Sequence, residues 1–252
     1  MWLFTTIVYQ PILNLLIWLY NVIPGTSIGY AIIALTVLVK LVLYPLTAQQ
    51  IKQQRALQEL QPKMDEIRAR LKDDKDAQAK ELMELYRKEK VNPAASCLPL
   101  LIQLPVFIGL FSALKDGLAA KSLNLLYPFV ANPGTLNPIF LGFVDLSKPN
   151  YVLAVLAGAI QFVQSWQIMR RPAITAKPPA EVKDAKGAQD ESMAAMMNKQ
   201  MMYMMPIVTV LIGISLPGGL TLYWLVMSVL TVGQQALFLR KPRAPQAVPQ
   251  LS

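Results

Sequence analysis

Lys40 is the residue of this chain best placed to do chemistry. It is the only charge between Met1 and Ile51, and it sits in the apolar run 28–46 (IGYAIIALTVLVKLVLYPL). An ammonium at the centre of a membrane helix costs about 2.5–3.5 kcal/mol on insertion scales. Nearer a helix end, a snorkelling side chain lowers that cost. Lys40 therefore reads either as a lysine whose head reaches the interface or as a cation facing a wet cavity in a helix bundle. A third use of such a lysine is as the base of a Ser–Lys dyad. Ser112 and Ser228 are candidate partners, although no serine motif marks either. The sequence has no histidine, which removes the commonest general base and metal ligand. The single Cys97 lies in an apolar run, can form no internal disulfide and reads as a small buried hydrophobe. No metal-site spacing is present.

No Asp or Glu falls within any of the five spans expected below. Ion-coupled transporters use intramembrane carboxylates, so their absence argues against ion coupling. An unpaired cation instead implies water, polar side chains or a transient anionic guest. The polar residues available are Gln103, Gln161, Gln164, Gln234, Thr36, Ser112 and Ser228. They line a groove with Lys40 or hydrogen-bond between helices. Leu104, Phe107 and Phe111 lie three and four apart and so share a helical face. With Tyr223 and Trp224 they form a candidate contact surface for a passing apolar helix. Core packing, or an aromatic belt at 223–224, is the alternative. Met193 to Met205 holds seven of the twelve methionines, either an adaptable binding surface or ordinary packing.

The elements that must position these residues follow from composition. The 252 residues are 54% hydrophobic and 15% charged, against about 25% charged in soluble domains. This is the composition of a polytopic membrane protein, expected to be all-α. Residues 1–27 read as an interfacial helix bent at Pro11, followed by a turn, with a sixth span as the alternative. The N-terminus lacks the basic region and cleavage site of a signal peptide. Span one covers 28–46. Residues 47–91 are too polar to cross, and Leu57, Leu60, Met64, Ile67 and Leu71 follow the spacing of a coiled-coil face. A break at 72–76, with Asp76 as a candidate N-cap, leads to a second helix over about 77–90. These two helices form a hairpin standing in water.

Span two occupies 92–115, started by Asn92-Pro93 and kinked at Pro99 and Pro105. A loop over 116–150 leads to span three at 151–169. The 170–199 loop has a disordered composition. Spans four and five share the charge-free run 200–239, split at Pro217-Gly218-Gly219, and 240–252 is a short tail. The hairpin holds 11 Lys and Arg, the 170–199 loop 6 and the tail 3, against Lys115, Lys121 and Lys148 opposite. That asymmetry places the hairpin and C-terminus in the cytoplasm and the N-terminus outside.

Four stretches resemble a known family. They are VLVKLVLYPLTAQQ at 37–50, LQPKMDEIRARLKDDK at 60–75, LYRKEKVNPAASCLPLLIQLPVFIGLF at 85–111 and LPGGLTLYWLVMSVLTVGQQ at 216–235. Together they resemble the YidC/Oxa/Alb membrane protein insertases over about residues 1–241. The resemblance implies five transmembrane helices around a hydrophilic groove open to the cytoplasm and lipid. It also implies one basic residue projecting into that groove, here Lys40. The family position is usually arginine, so the charge is kept while the bidentate fork is not. The large extracytoplasmic domain of some members and the lipid-modified cysteine of others have no counterpart in these residues.

The implied activity is insertion of nascent hydrophobic segments into a bacterial plasma membrane, with no cofactor and no catalytic residue. Assembly scaffolding without insertion, and more remotely an intramembrane Ser–Lys protease, are the competing readings. The implied partners are nascent membrane proteins and the bilayer, with the Sec translocon and the ribosome as further candidates and no sequence-specific nucleic acid. The tail, short and mildly basic, offers little to a ribosome.

Overall fold

A computed structural model describes residues 2–25, 27–92, 98–118, 125–169 and 203–240. Asn92-Pro93 as a helix start, Cys97, the 170–199 loop, most of the methionine run and the tail beyond Arg240 lie outside or at the edge of them.

The first helix, α1, runs from Trp2 to Val22 and is long and apolar enough to cross a membrane. By length and composition it fits the sixth-span alternative as well as an interfacial helix. Its backbone widens to a π-turn over Thr5–Tyr9, immediately before Pro11. A proline has no N–H to give to the turn before it, and such a wide turn is one way a helix absorbs that loss. Leu13, Leu16 and Ile17 are fully buried.

Ser27 caps the next helix, α2 (Ile28–Val42), its side chain accepting from the Gly29 N–H. α2 stops four residues short of the expected end of span one. The chain breaks at Leu43 and turns by 66° into α3 (Tyr44–Arg70), with Pro45 in its first turn. Pro45 has no N–H to give to the carbonyl of Leu41 four residues back, so α2 cannot run on through it, whereas a proline in the first turn of a new helix loses nothing. The span and the first hairpin helix are thus separated by an elbow.

α4 (Lys75–Lys88) returns alongside α3. Its N-cap is Asp74, not Asp76: the Asp74 side chain accepts from the Ala77 N–H at 2.9 Å. Ala56, Leu60 and Met64 are buried against Leu57, Leu82, Leu85 and Tyr86. Lys63–Glu89 (2.5 Å) and Arg70–Glu81 tie the arms together at the surface.

α5 (Leu98–Leu118) continues past the expected end of span two. It therefore carries Asp116 inside a helix, where its carboxylate accepts from the Tyr9 hydroxyl at 2.9 Å. The following segment is fastened to α1 by Asn14, which donates to Leu125 O and accepts from the Tyr127 N–H.

A short two-stranded antiparallel ribbon, not expected from the sequence, is added to the mostly helical fold. β1 (Ile139–Phe140) pairs with β2 (Val144–Asp145), Ile139 facing Asp145 and Phe140 facing Val144. Phe140 lies so close over Gly29 that a Cβ there would come within 2.3 Å of its ring.

The last helices are α6 (Tyr151–Met169), α7 (Tyr203–Gly213) and α8 (Gly218–Arg240). α8 is long and apolar enough to cross, and the bent α2–α3 pair passes the same test together. The described residues thus hold two spans by length and composition, or three with that pair. Lipid is as apolar as leucine, so helices here associate through close packing and polar bonds. Small residues allow it. Ala154 and Ala157 are buried on α6, and a Cβ at Gly158 would meet Val210 at 2.4 Å. One hydrophobic core joins α1, α2, α5 and α8 with the ribbon.

Candidate functional site

The site is a polar seam along one side of α8, where it passes α2 and the elbow. Lys40 lies in the last turn of α2, half-buried. Its ammonium donates to Thr231 Oγ1 at 2.9 Å, and the Thr231 hydroxyl in turn donates to Met227 O at 2.7 Å. Among the described residues no carboxylate lies within ion-pair distance of Lys40. One turn along α8, Gln234 is buried and donates to Thr47 Oγ1 at 2.9 Å across the elbow. Gln50 and Gln235 flank that bond, both buried, with Gln50 Nε2 and Gln235 Oε1 lacking any hydrogen-bond partner. A buried polar atom without a partner is costly and marks a place able to accept one.

The residues expected from sequence separate into three groups. Lys40 and Gln234 share the seam. Gln103 sits on α5 and donates to the Tyr223 hydroxyl, tying α5 to α8 elsewhere. Gln161 and Gln164 are half-buried on α6 and share no hydrogen bond with Lys40. Thr36 is fully buried and spends its hydroxyl on Ile32 O at 2.6 Å, so it does not line the seam. Lys40 makes no hydrogen bond to Ser112 or Ser228, the contact a Ser–Lys dyad would need.

The apolar candidates divide as well. Leu104 is exposed, together with Leu101 and Ile108 on the same helix. Phe107 is half-buried and meets Trp224 edge-on at 6.0 Å. Phe111 is half-buried against the core, and Tyr223 is buried at 2% exposure. Tyr223 is therefore presented to a passing chain only if α5 and α8 part.

Thr231, Thr47, Gln50 and Gln235 were not anticipated. The signal for the α8 members was present in TVGQQ at 231–235, where Thr231, Gln234 and Gln235 recur at the three-and-four spacing of one helix face. Thr47 and Gln50 could be placed only once the elbow was known.

A helix-rich bundle with a lysine in an apolar helix that no described carboxylate pairs, an attached polar hairpin and a polar seam defines a class of membrane protein. The family model described as "60Kd inner membrane protein" matches residues 18–245. The chain belongs to this family, that of the YidC/Oxa/Alb insertases. A protein of Fusobacterium nucleatum named "Membrane protein insertase YidC" is 34% identical over 215 residues, 85% of this chain and 87% of that protein. One of the same name from Geobacter sp. (strain M21) is 35% identical over 228 residues, 90% of this chain but 35% of that protein. The chain thus spans about a third of the length of several relatives it matches. A solved structure, "Active YidC insertase crystal structure with the first transmembrane domain resolved", aligns with TM-score 0.56 and 25% identity. The alignment covers 95% of this chain and 47% of that one.

Proposed function

We propose that this chain inserts nascent hydrophobic segments into a bacterial plasma membrane, using the Lys40 seam to lower the cost of moving a polar flank. The observation that carries the reading is the state of Lys40. Its charge sits at the end of an apolar helix, held only by a neutral hydroxyl, with no described carboxylate beside it. A charge without a counter-ion is stabilised when an anionic flank arrives, and the orphaned amides of Gln50 and Gln235 offer a donor and an acceptor to its backbone. The apolar part of the substrate then moves sideways into lipid, where its burial is worth about 0.8 kcal/mol per CH₂. No bond is made or broken.

In this reading α2, α5, α6, α7 and α8 are the five spans, α1 packs beside them, and the hairpin lies in the cytoplasm, as the 20-to-3 split of basic residues supports. The hairpin receives substrate, and the elbow at Leu43 sets it beside the seam. The exposed face of α5 around Leu104, with Phe107 and Trp224 at its edge, provides the lateral exit.

The test is reconstitution of the purified chain alone in liposomes with a single-span substrate. Protection of the translocated flank from added protease supports insertion. A substrate bound yet fully digested would instead assign the chain to scaffolding.

A further inference from the structure

We propose that the tip of the ribbon is a lipid-docking wedge, seated in the outer-leaflet interface beside α6. The turn Phe140–Phe143 is closed by the Phe143 N–H on Phe140 O at 3.3 Å. Its two central residues both have positive φ, Leu141 at 55° and Gly142 at 83°. That is the pattern of a type I′ turn, which favours Asn, Asp or Gly at both places. A leucine held in the left-handed region is a strained choice, and an observed outlier of this kind is a reason to look for function. Leu141 is 57% exposed, and Phe143 beside it is 80% exposed. An exposed polar residue would fit the turn better on both counts, so something other than local folding accounts for two large apolar side chains.

The ribbon is also firmly held, so the tip is aimed. Phe140 packs on Gly29 at the start of α2, and the Ile28 N–H bonds to Asn137 O at 2.9 Å. The N–H groups of Gly218 and Gly219, at the start of α8, bond to Lys148 O and Leu146 O at 2.8 and 2.9 Å. α6 begins three residues beyond Lys148. Three helices therefore start at the level of the ribbon, which places it at the outer boundary of the apolar layer. The start of α6 continues the apolar surface: Tyr151, Val152, Val155 and Leu156 are all exposed. An apolar tip continuous with the lipid-facing side of a helix matches the headgroup–acyl boundary better than a protein surface. The inference rests on the helices crossing the bilayer and not on what passes the Lys40 seam.

The test places an environment-sensitive fluorophore at position 143 in Phe143→Cys, with Cys97→Ser, in vesicles of phosphatidylethanolamine and phosphatidylglycerol. Expected are a blue-shifted emission, quenching by a lipid nitroxide placed near the headgroup, and protection from aqueous iodide. The same label in Lys148→Cys, whose native side chain is 78% exposed beside Asp145, should stay open to iodide. Iodide access at 143 equal to that at 148 would overturn the proposal. So would protection that fades when the protein-to-lipid ratio falls by about an order of magnitude, since mass action would then assign the contact to a second copy. Leu141→Asn relieves the turn and should raise the midpoint of thermal unfolding in detergent while weakening the nitroxide quenching at 143. Unchanged quenching in that variant, with Phe143→Cys unaffected by the lipid probe, would equally contradict the wedge.

Discussion

The Lys40 ammonium, at the end of an apolar helix, donates its hydrogen bond to a hydroxyl and not to a carboxylate. Thr231→Val should therefore leave the fold in place but remove the tether, and the ammonium should then rely more on water. Thr231→Val is expected to lower insertion of acidic-flanked substrates less than Lys40→Ala does, as measured by protease protection in liposomes. The Gln103–Tyr223 pair is a different case. It joins α5 to α8 with Tyr223 buried and Gln103 half-buried, so Tyr223→Phe takes the partner from the Gln103 amide. A loss of about 1 kcal/mol in stability is expected, readable as an earlier unfolding midpoint in mixed micelles. Lys40 was legible from sequence because one charge in an apolar run is conspicuous. Its partner was not, since a threonine in a span fits many roles and its helix lies 191 positions away. Tyr223 read equally well as a surface aromatic, because only packing decides whether a ring faces lipid or core.

At the scale of the element, the hairpin is joined to the bundle by few described links. They include the Thr47–Gln234 bond and the Tyr44–Phe238 ring contact at 6.3 Å. Its own core is small, built on Ala56, Leu60, Met64 and Val91. Amide exchange in 53–89 should be faster than in α2 and α8, and equal protection would mean that the hairpin is a fixed part of the bundle. Deleting 53–89 should leave the spans folded and reduce insertion.

The ribbon has a pH dependence of its own. Hydrogen bonds from the Ser147 hydroxyl and N–H, with Lys148 nearby, hold the Asp145 carboxyl below the usual aspartate range. A depressed pKa contributes stability above the unfolded value of about 3.9 and loses it as pH falls through the folded value. Amide exchange at Ser147 should therefore accelerate below about pH 4, and Asp145→Asn should abolish that acid dependence. The hairpin stripe was legible because heptad spacing needs only local sequence. The elbow and ribbon were not: an apolar run does not announce a break at Leu43, and a strand of two residues is too short to show alternation.

At the scale of the whole molecule, the polar seam and the exposed apolar face lie on different helices. The seam of Lys40, Thr231 and Gln234 runs where α8 meets α2 and the elbow, while Leu101, Leu104 and Ile108 face outward from α5. A substrate that leaves its polar flank at the seam and its apolar span at α5 would bridge the two. A photoreactive residue at 104 or 107 should then capture a stalled nascent chain more than one at Leu153, which is buried on α6. Capture at 223 requires α5 and α8 to separate, so it should rise in Gln103→Leu. Equal labelling from every helix would mean that no defined exit exists.

The most direct measurement is a charge swap read by protease protection in liposomes containing only this chain. Substrates with an acidic, neutral or basic translocated flank are compared with Lys40, Lys40→Arg and Lys40→Glu. If the unpaired charge lowers the cost of the flank, arginine keeps insertion of the acidic substrate. Glutamate then lowers it by about tenfold, equivalent to about 1.4 kcal/mol, and recovers part of it with the basic flank. Equal insertion of the acidic flank by Lys40 and Lys40→Glu would contradict an electrostatic role and leave the seam as a purely hydrogen-bonding wall.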